Sequence, residues 1–354
     1  MYNHIKKISM VFASSMVLAI GMNVTASAEV DFSGKRIEVL ISANPGGGTD
    51  TTGRLLGEFI AKYLPGEPGV VYRNRPGASG VTAMNHFARQ VQPDGFTIVA
   101  SSSSVAAPAN WRGPQSQYNP IEMPMIGGAE RGSTVLVINK EALPRLTDHS
   151  QDPVIMGALD GNRSGMQMML WGIEFLDWNA RWVIGYPGTS DIVLALQRGE
   201  IDVTSTANSF LIEELIQTGN FTLLTQSGIP SDEGLLPREE FPDVPILAEL
   251  VRPHFAEDRH RLAFEYWEGI NTLDKFAALP PGTPDEIVRV YREAWSKAVR
   301  DPVFMERGRV IISEDFNPIP GEAQARLVRQ VADIQPEALD FIEEMRIRQG
   351  LPAN

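Results

Sequence analysis

The stretch Pro45-Gly46-Gly47-Gly48-Thr49-Asp50 lies between a β-type run and a helical pattern, an arrangement suited to holding an anion. Consecutive glycines let main-chain N–H groups converge, and the start of a helix adds unpaired donors and the positive end of its dipole. No Gly-Lys-Ser/Thr follows, so this is not a Walker-type phosphate loop. Thr51 stands where a dinucleotide fingerprint needs its last glycine. Phosphate cofactors lose ground, and no cofactor is expected. The competing reading of the glycines is a tight turn and nothing more.

Arg75-Pro76-Gly77-Ala78-Ser79-Gly80 repeats the strand–glycine loop–helix form, and Ser101, Ser102, Ser103 and Ser104 follow a third strand. In an open α/β sheet all three segments lie at the carboxyl ends of strands, where ligands bind. The serines read equally as ligand groups or as a solvated cap. Two later loops, Gly161-Asn162-Arg163-Ser164-Gly165 and Tyr186-Pro187-Gly188-Thr189-Ser190-Asp191, offer an opposing wall. Arg163 suits an acidic ligand, although a lone loop arginine commonly faces solvent. Thr189, Ser190 and Asp191 also suit a helix cap.

Nucleophilic catalysis finds little support. There is no G-x-S-x-G elbow, and with no cysteine the chain has no thiol nucleophile, disulfide or Cys₄ zinc site. Beyond residue 28 the histidines are His86, His149, His254 and His260. His254, Glu257, Asp258 and His260 have metal-ligand side chains but lack the H-E-x-x-H register, so a charged surface loop is the expectation and no metal is assigned. Met166, Met168 and Met169 read as core filler.

The elements that must position these groups alternate. β-type runs at 36–42, 69–74 and 96–100 are separated by helical patterns from about residue 49 and through residue 89. The middle continues with strands at 134–138, 154–158, 181–186, 201–204 and 221–225, and with helices at 165–176 and 189–197. This alternation predicts α/β architecture with a mainly parallel sheet. Residues 237–258 are acidic and Pro-rich and read as a connection. The last third reads as helical, with Thr283 as an N-cap ahead of Pro284, and with Asp301-Pro302 and Gln335-Pro336 as further helix starts.

At 354 residues the chain is long enough for about two domains. With 31 basic against 44 acidic side chains and a net charge of −13, it is a poor nucleic-acid binder. Residues 1–28 read as a secretory signal peptide: Lys6 and Lys7 precede a short apolar core, and Ala26-Ser27-Ala28 supplies a cleavage site after Ala28. The expected product is soluble and periplasmic. Removing two lysines makes it more acidic still, yet screening over about 8 Å leaves local donors in control of a cleft. Main-chain amides, rather than side-chain cations, are the expected anion-holding groups.

Taken together, PGGGTD at 45–50, NRPGASG at 74–80 and PDGFTIV at 93–99 resemble the extracytoplasmic solute receptors of tripartite tricarboxylate transporters, the Bug family. YPGTSD at 186–191, GEIDV at 199–203, FPDVPILAEL at 241–250 and PPGTPDEIV at 280–288 add to the resemblance. It implies a type II periplasmic-binding-protein fold: two α/β lobes, a ligand cleft between them and two chain crossovers. The lobes would be 29–132 with 262–354, and 133–261. It also implies a receptor that carries a small carboxylate to a permease with a large and a small membrane subunit; a monomer without catalysis is expected, the alternatives being an enzyme acting on a small organic acid and a ligand-presenting sensor for a two-component system. Carried onto this chain, the family's ligand groups fall at Gly46, Gly47, Thr49, Asp50, Ala78 and Ser79, and across the cleft at Gly161, Thr189 and Asp191. The loop at 160–165 and the segment Thr204-Ser205-Thr206-Ala207-Asn208 depart from the family pattern.

Overall fold

The computed structural model describes residues 30–159, 165–231 and 234–352. The signal-peptide reading of 1–28, Gly161 and Arg163 lie outside the described residues.

β1 (Arg36–Ile41) leads into α1 (Gly48–Tyr63), then β2 (Gly69–Asn74), α2 (Val81–Gln90), β3 (Thr97–Ser102), the short α3 (Pro108–Trp111) and β4 (Met125–Glu130). β1 pairs in parallel with both β2 and β3. The three strands therefore end on one edge, and the loops that follow them share it. α1 lies close on this sheet because Gly53 and Gly57 carry no side chain. A Cβ on Gly53 would stand 2.8 Å from the Ala100 Cβ, and one on Gly57 2.7 Å from Val39 Cγ2. The helix buries Leu55, Leu56, Phe59 and Ile60, the spacing of an amphipathic stripe.

A second sheet is built from β5 (Val135–Asn139), β6 (Val154–Ala158), β7 (Ala180–Ile184), β8 (Val203–Thr206) and β9 (Phe221–Gln226), in the order β7-β6-β8-β5-β9. Its helices are α4 (Met168–Leu176), α5 (Thr189–Gln197) and α6 (Ser209–Gln217). A small hairpin of β10 (Ile229–Ser231) and β11 (Gly234–Leu236) follows, then α7 (Leu247–Val251) and α8 (Asp258–Leu273). The segment 237–258, read as a connection, thus contains a helical turn.

The chain then returns to the first sheet as β12 (Lys275–Ala278), followed by α9 (Asp285–Ala298), α10 (Pro302–Ile311), β13 (Asn317–Pro320), α11 (Gly321–Ala332) and α12 (Pro336–Arg348). The first sheet runs β13-β4-β12-β3-β1-β2. Two mixed sheets flanked by helices, with the chain passing between them after β4 and again after β9, form the two-lobed α/β arrangement that the resemblance implies.

The expectation of a mainly parallel sheet is corrected. β12 is antiparallel to β3 and β4, and β13 to β4; in the second sheet β5 is antiparallel to β8 and β9. The reason is where the returning chain arrives. α8 delivers Lys275 beside Ser102, at the cleft end of β3, so β12 must run away from the cleft, against β3. β4, β12 and β13 (MIGGAE, KFAA and NPIP) are rich in Gly, Ala and Pro, so their pairing comes from tertiary context rather than β propensity. The Thr283 cap is also corrected. α9 starts one residue later, after Pro284, and the Thr283 hydroxyl donates to the Pro280 carbonyl at 2.7 Å. Asp301 does cap α10, accepting from the Val303 N–H at 2.8 Å.

The cores share out the C-terminal helices. Tyr291, Ala294, Trp295 and Phe304 of α9 and α10 pack with Ile37, Val39 and Phe59 on the first sheet. Phe264 and Trp267 of α8 and Phe341 and Met345 of α12 pack with Met168, Met169 and Trp171 on the second. The last residue of α8, Leu273, belongs to a core of the first sheet with Phe276 and Met84. α8 is therefore a rod anchored in both halves, ending at the cleft.

Candidate functional site

The glycine run at 46–48 becomes a wall because its own chain locks it. The Asp50 carboxylate is buried; it accepts from the Gly46 N–H at 2.9 Å, from Arg54 Nε at 3.0 Å and from Asn74 Nδ2 at 2.7 Å. Burial alone would raise its pKa, but the hydrogen bonds from Arg54, Asn74 and Gly46 outweigh it and hold the carboxyl below its usual range. Gly47 caps α1 with no side-chain partner, so the first-turn amides of Gly48 and Thr49 have no acceptor within the helix.

α5 presents a second helix start across the cleft. Its N-cap is Gly188, again without a side-chain cap. The Asn44 side chain donates to the Pro187 carbonyl, and a Cβ on Gly46 would lie 3.7 Å from Ser190 Oγ. Two positive helix ends, one from each half, thus meet at residues 46–49 and 188–191.

Two adjoining cavities open at this meeting point. Gly47, Gly48, Thr49, Thr189 and Ser190 line both. The larger, about 360 Å³, extends past Asn44, Pro76, Ala78, Ser79, Leu159, Tyr186 and Asp191. One side of it is the turn at 77–80, where Gly77 (φ 125°), Ala78 (45°), Ser79 (53°) and Gly80 (98°) all have positive φ. Ala78 and Ser79 carry a strain that glycine would not, as expected of a loop shaped for a ligand.

The smaller cavity, about 100 Å³, is lined by Gly46, the serines 102–104, Thr134, Ser205, Thr206, Asn208, Arg131, Asp274 and Lys275. Arg131 Nε donates to Asp274 Oδ2 at 2.6 Å and Nη2 to Oδ1 at 2.9 Å, while Lys275 Nζ donates to the same Oδ1 at 2.5 Å. Burial pushes the Asp274 carboxyl up, but the charges of Arg131 and Lys275 prevail and pull it down to about 2. The trio therefore carries one net positive charge. Arg131 Nη1 also faces α1: a Cβ on Gly48 would sit 2.6 Å from it and push the guanidinium aside. Asp274 holds φ 22°, ψ −89°, an uncommon conformation at the end of α8.

Of the residues expected to meet ligand, Gly46, Gly47, Thr49, Ser102 and Thr189 line the smaller cavity, and Ala78, Ser79 and Asp191 the larger. Asp50 lines neither and braces the glycine loop from behind. Ser101 also lines neither; its hydroxyl is buried 2.7 Å from that of Ser42. The cationic trio was missed by sequence reasoning, which expected main-chain amides and loop hydroxyls to dominate and offered Arg163 as the cation. The run Thr204-Ser205-Thr206 gave a usable signal, hydroxyls at a strand end. Arg131 and Lys275 gave none, because β4 and β12 do not read as strands.

Other candidates fall away from the cleft, except Met166, which is buried in the second core and lines the smaller cavity. Met168 and Met169 are fully buried in the second core. His260 packs against Phe175 and Phe341, with ring centroids 5.3 and 4.6 Å apart. Among the described residues no group of three or more His, Cys, Asp or Glu is placed to hold a metal, and no helix is long and apolar enough to cross a membrane.

Comparison with known proteins agrees with this arrangement. The family model described as the tripartite tricarboxylate transporter family receptor matches residues 54–346. A UPF0065 protein of Bordetella pertussis is 26% identical over 338 residues, covering 91% of this chain and 94% of that protein. Among solved structures, the periplasmic binding protein BugD superposes with a TM-score of 0.66 at 19% identity, over 91% of this chain and all of that one. MatC from Rhodopseudomonas palustris, with bound malate, gives 0.64 at 20% identity, over 88% of this chain and 100% of its own. These likenesses show the type II periplasmic-binding-protein fold.

Proposed function

The chain belongs to the tripartite tricarboxylate transporter receptor family, and from that premise we propose that it is a periplasmic receptor that captures a small organic carboxylate between its halves. It hands the ligand, chemically unchanged, to a membrane permease with a large and a small subunit. It works as a monomer, exported on residues 1–28 and cleaved after Ala28. Its lobes are 29–132 with 262–354, and 133–261, with α8 and α12 of the first segment pair packed onto the core of the second.

One observation carries the reading: two uncapped helix starts and a net positive Arg131–Asp274–Lys275 trio converge on one cleft of an otherwise acidic protein. The carboxylate accepts from the amides of Gly48 and Thr49 and from Arg131, with the hydroxyls of Thr49, Ser102, Thr189 and Ser190 within the same walls. Each charge-assisted hydrogen bond contributes roughly 1.5–3 kcal/mol, so three or four approach the ~8 kcal/mol of micromolar binding before immobilisation costs. MatC, whose structure holds malate, is a relative in fold with a carboxylate cargo. Because the walls come from both halves, a bound carboxylate favours the closed state, and the permease reads that closure.

The test is a thermal-shift panel of mono-, di- and tricarboxylates on the purified protein, followed by recovery of the best ligand. A saturable stabilisation by one or more acids, with the ligand recovered intact, is the expected result. Conversion of the ligand to a product, or stabilisation by none of the acids, overturns the reading.

A further inference from the structure

The cleft is electrically polarised along its length. At the smaller cavity Arg131 and Lys275 outnumber Asp274, which is already shared between them. At the larger cavity the charged side chain among the described lining residues is Asp191. Asp191 is exposed in the first turn of α5 and, unlike Asp50 and Asp274, has no ion-pair partner among the described residues. The rest of that wall includes Leu159, Tyr186, Pro45 and Pro187 and, among the described residues, no cationic side chain; the positive start of α5 lies there too, and Asp191 in its own first turn offsets it.

The positive pole gathers its donors on one acid group. Gly48 lies directly against Arg131, so the α1 terminus and the guanidinium address the same carboxylate rather than two separate ones. The larger cavity adjoins this one through Gly47, Gly48 and Thr49, so a ligand seated at Arg131 continues toward Asp191.

We infer that the cargo is an acid with a single carboxylate, seated at Arg131, and a far end that is not anionic, because Asp191 selects against a second negative charge. This rests on the receptor reading above and narrows its substrate class. Specificity here is a difference of affinities produced partly by repulsion: an unpaired carboxylate facing the ligand's far end penalises diacids more than it rewards any one monoacid.

Pairs of equal chain length isolate the far-end charge: glutarate against 5-hydroxypentanoate, and adipate against 6-hydroxyhexanoate. Calorimetric titration of the wild type is expected to give the hydroxy acid an affinity at least about tenfold above that of its diacid, a difference of ~1.4 kcal/mol. In Asp191→Asn that ratio is expected to fall below about threefold, and Arg131→Gln is expected to weaken the hydroxy acids by about tenfold or more. A wild type that binds the diacids as tightly as the hydroxy acids, or a ratio unchanged in Asp191→Asn, overturns the inference and leaves the receptor reading standing. Absence of binding by all four acids counts against the receptor reading and takes the inference with it.

Discussion

Arg131 and Asp274 form a two-pronged ion pair across the base of the cleft, 2.6 and 2.9 Å long, joining the end of β4 to the end of α8. Here the chain leaves the first sheet for the second and later returns to it: β5 starts just after Arg131, and β12 starts just after Asp274. One carboxylate thus fastens both crossings and aims a guanidinium at the helix start where the ligand's acid group is proposed to sit.

That pair carries a signature in pH. Burial opposes ionisation of Asp274, yet Arg131 and Lys275 hold its pKa at about 2 against an ordinary 3.8. A depressed folded-state value means that the stabilisation is fully present above about pH 4 and is lost as pH falls toward 2. The magnitude is about 2 kcal/mol. Urea unfolding between pH 2 and 5 should show this acid limb in the wild type and a shallower one in Asp274→Asn. Equal slopes contradict the assignment.

Asp50 and Thr49 are neighbours in sequence with different tasks. Asp50 ties Gly46, Arg54 and Asn74 together from behind the loop, whereas Thr49 faces both cavities. Asp50→Ala should therefore cost stability, about 2–4 kcal/mol, and weaken ligand binding through the loosened loop. Thr49→Ala should weaken binding with little change in the unfolding midpoint. The comparison needs chemical denaturation and calorimetry on both variants, and Asp50→Ala with wild-type stability would refute the bracing role.

Arg238 is a buried cation outside the lining of the cleft. Its guanidinium is fully buried and donates to the Ser133 and Ala207 carbonyls at 3.0 and 3.1 Å, to the Ser209 and Ser313 hydroxyls at 2.5 and 2.9 Å, and to Glu240. Ser133 follows Arg131 in the first crossing and Ser313 follows α10, so one side chain stitches both halves together beneath the cavity. Arg238→Ala should destabilise by about 3–5 kcal/mol, because Glu240 and four polar groups lose their partner in a dry site. Arg238→Lys should recover only part of that, since an ammonium cannot serve the same planar set of acceptors. Urea midpoints at neutral pH test both.

Much of this architecture is legible in the sequence. The glycine loops stand out because each sits between a strand-like and a helix-like run, and α1, β2, α5 and β6 lie where periodicity and turn residues put them. The antiparallel insertion of β12 is not legible. KFAA has no strand-like pattern of its own and pairs only because α8 brings it alongside Ser102. With β12 went Lys275 and Asp274, and with the Gly-rich β4 went Arg131. The cations Arg131 and Lys275 were therefore hidden by the weak local propensity of the strands beside them, and the expectation that main-chain amides rather than side-chain cations hold the anion followed from that gap.

The most direct test of the central proposal is a crystal structure of the protein with its tightest-binding acid. The expected result is one carboxylate within about 3 Å of the Gly48 and Thr49 amides and of Arg131, with the rest of the molecule directed toward Asp191. A ligand whose carboxylate lies elsewhere, or that touches neither the α1 terminus nor Arg131, contradicts it.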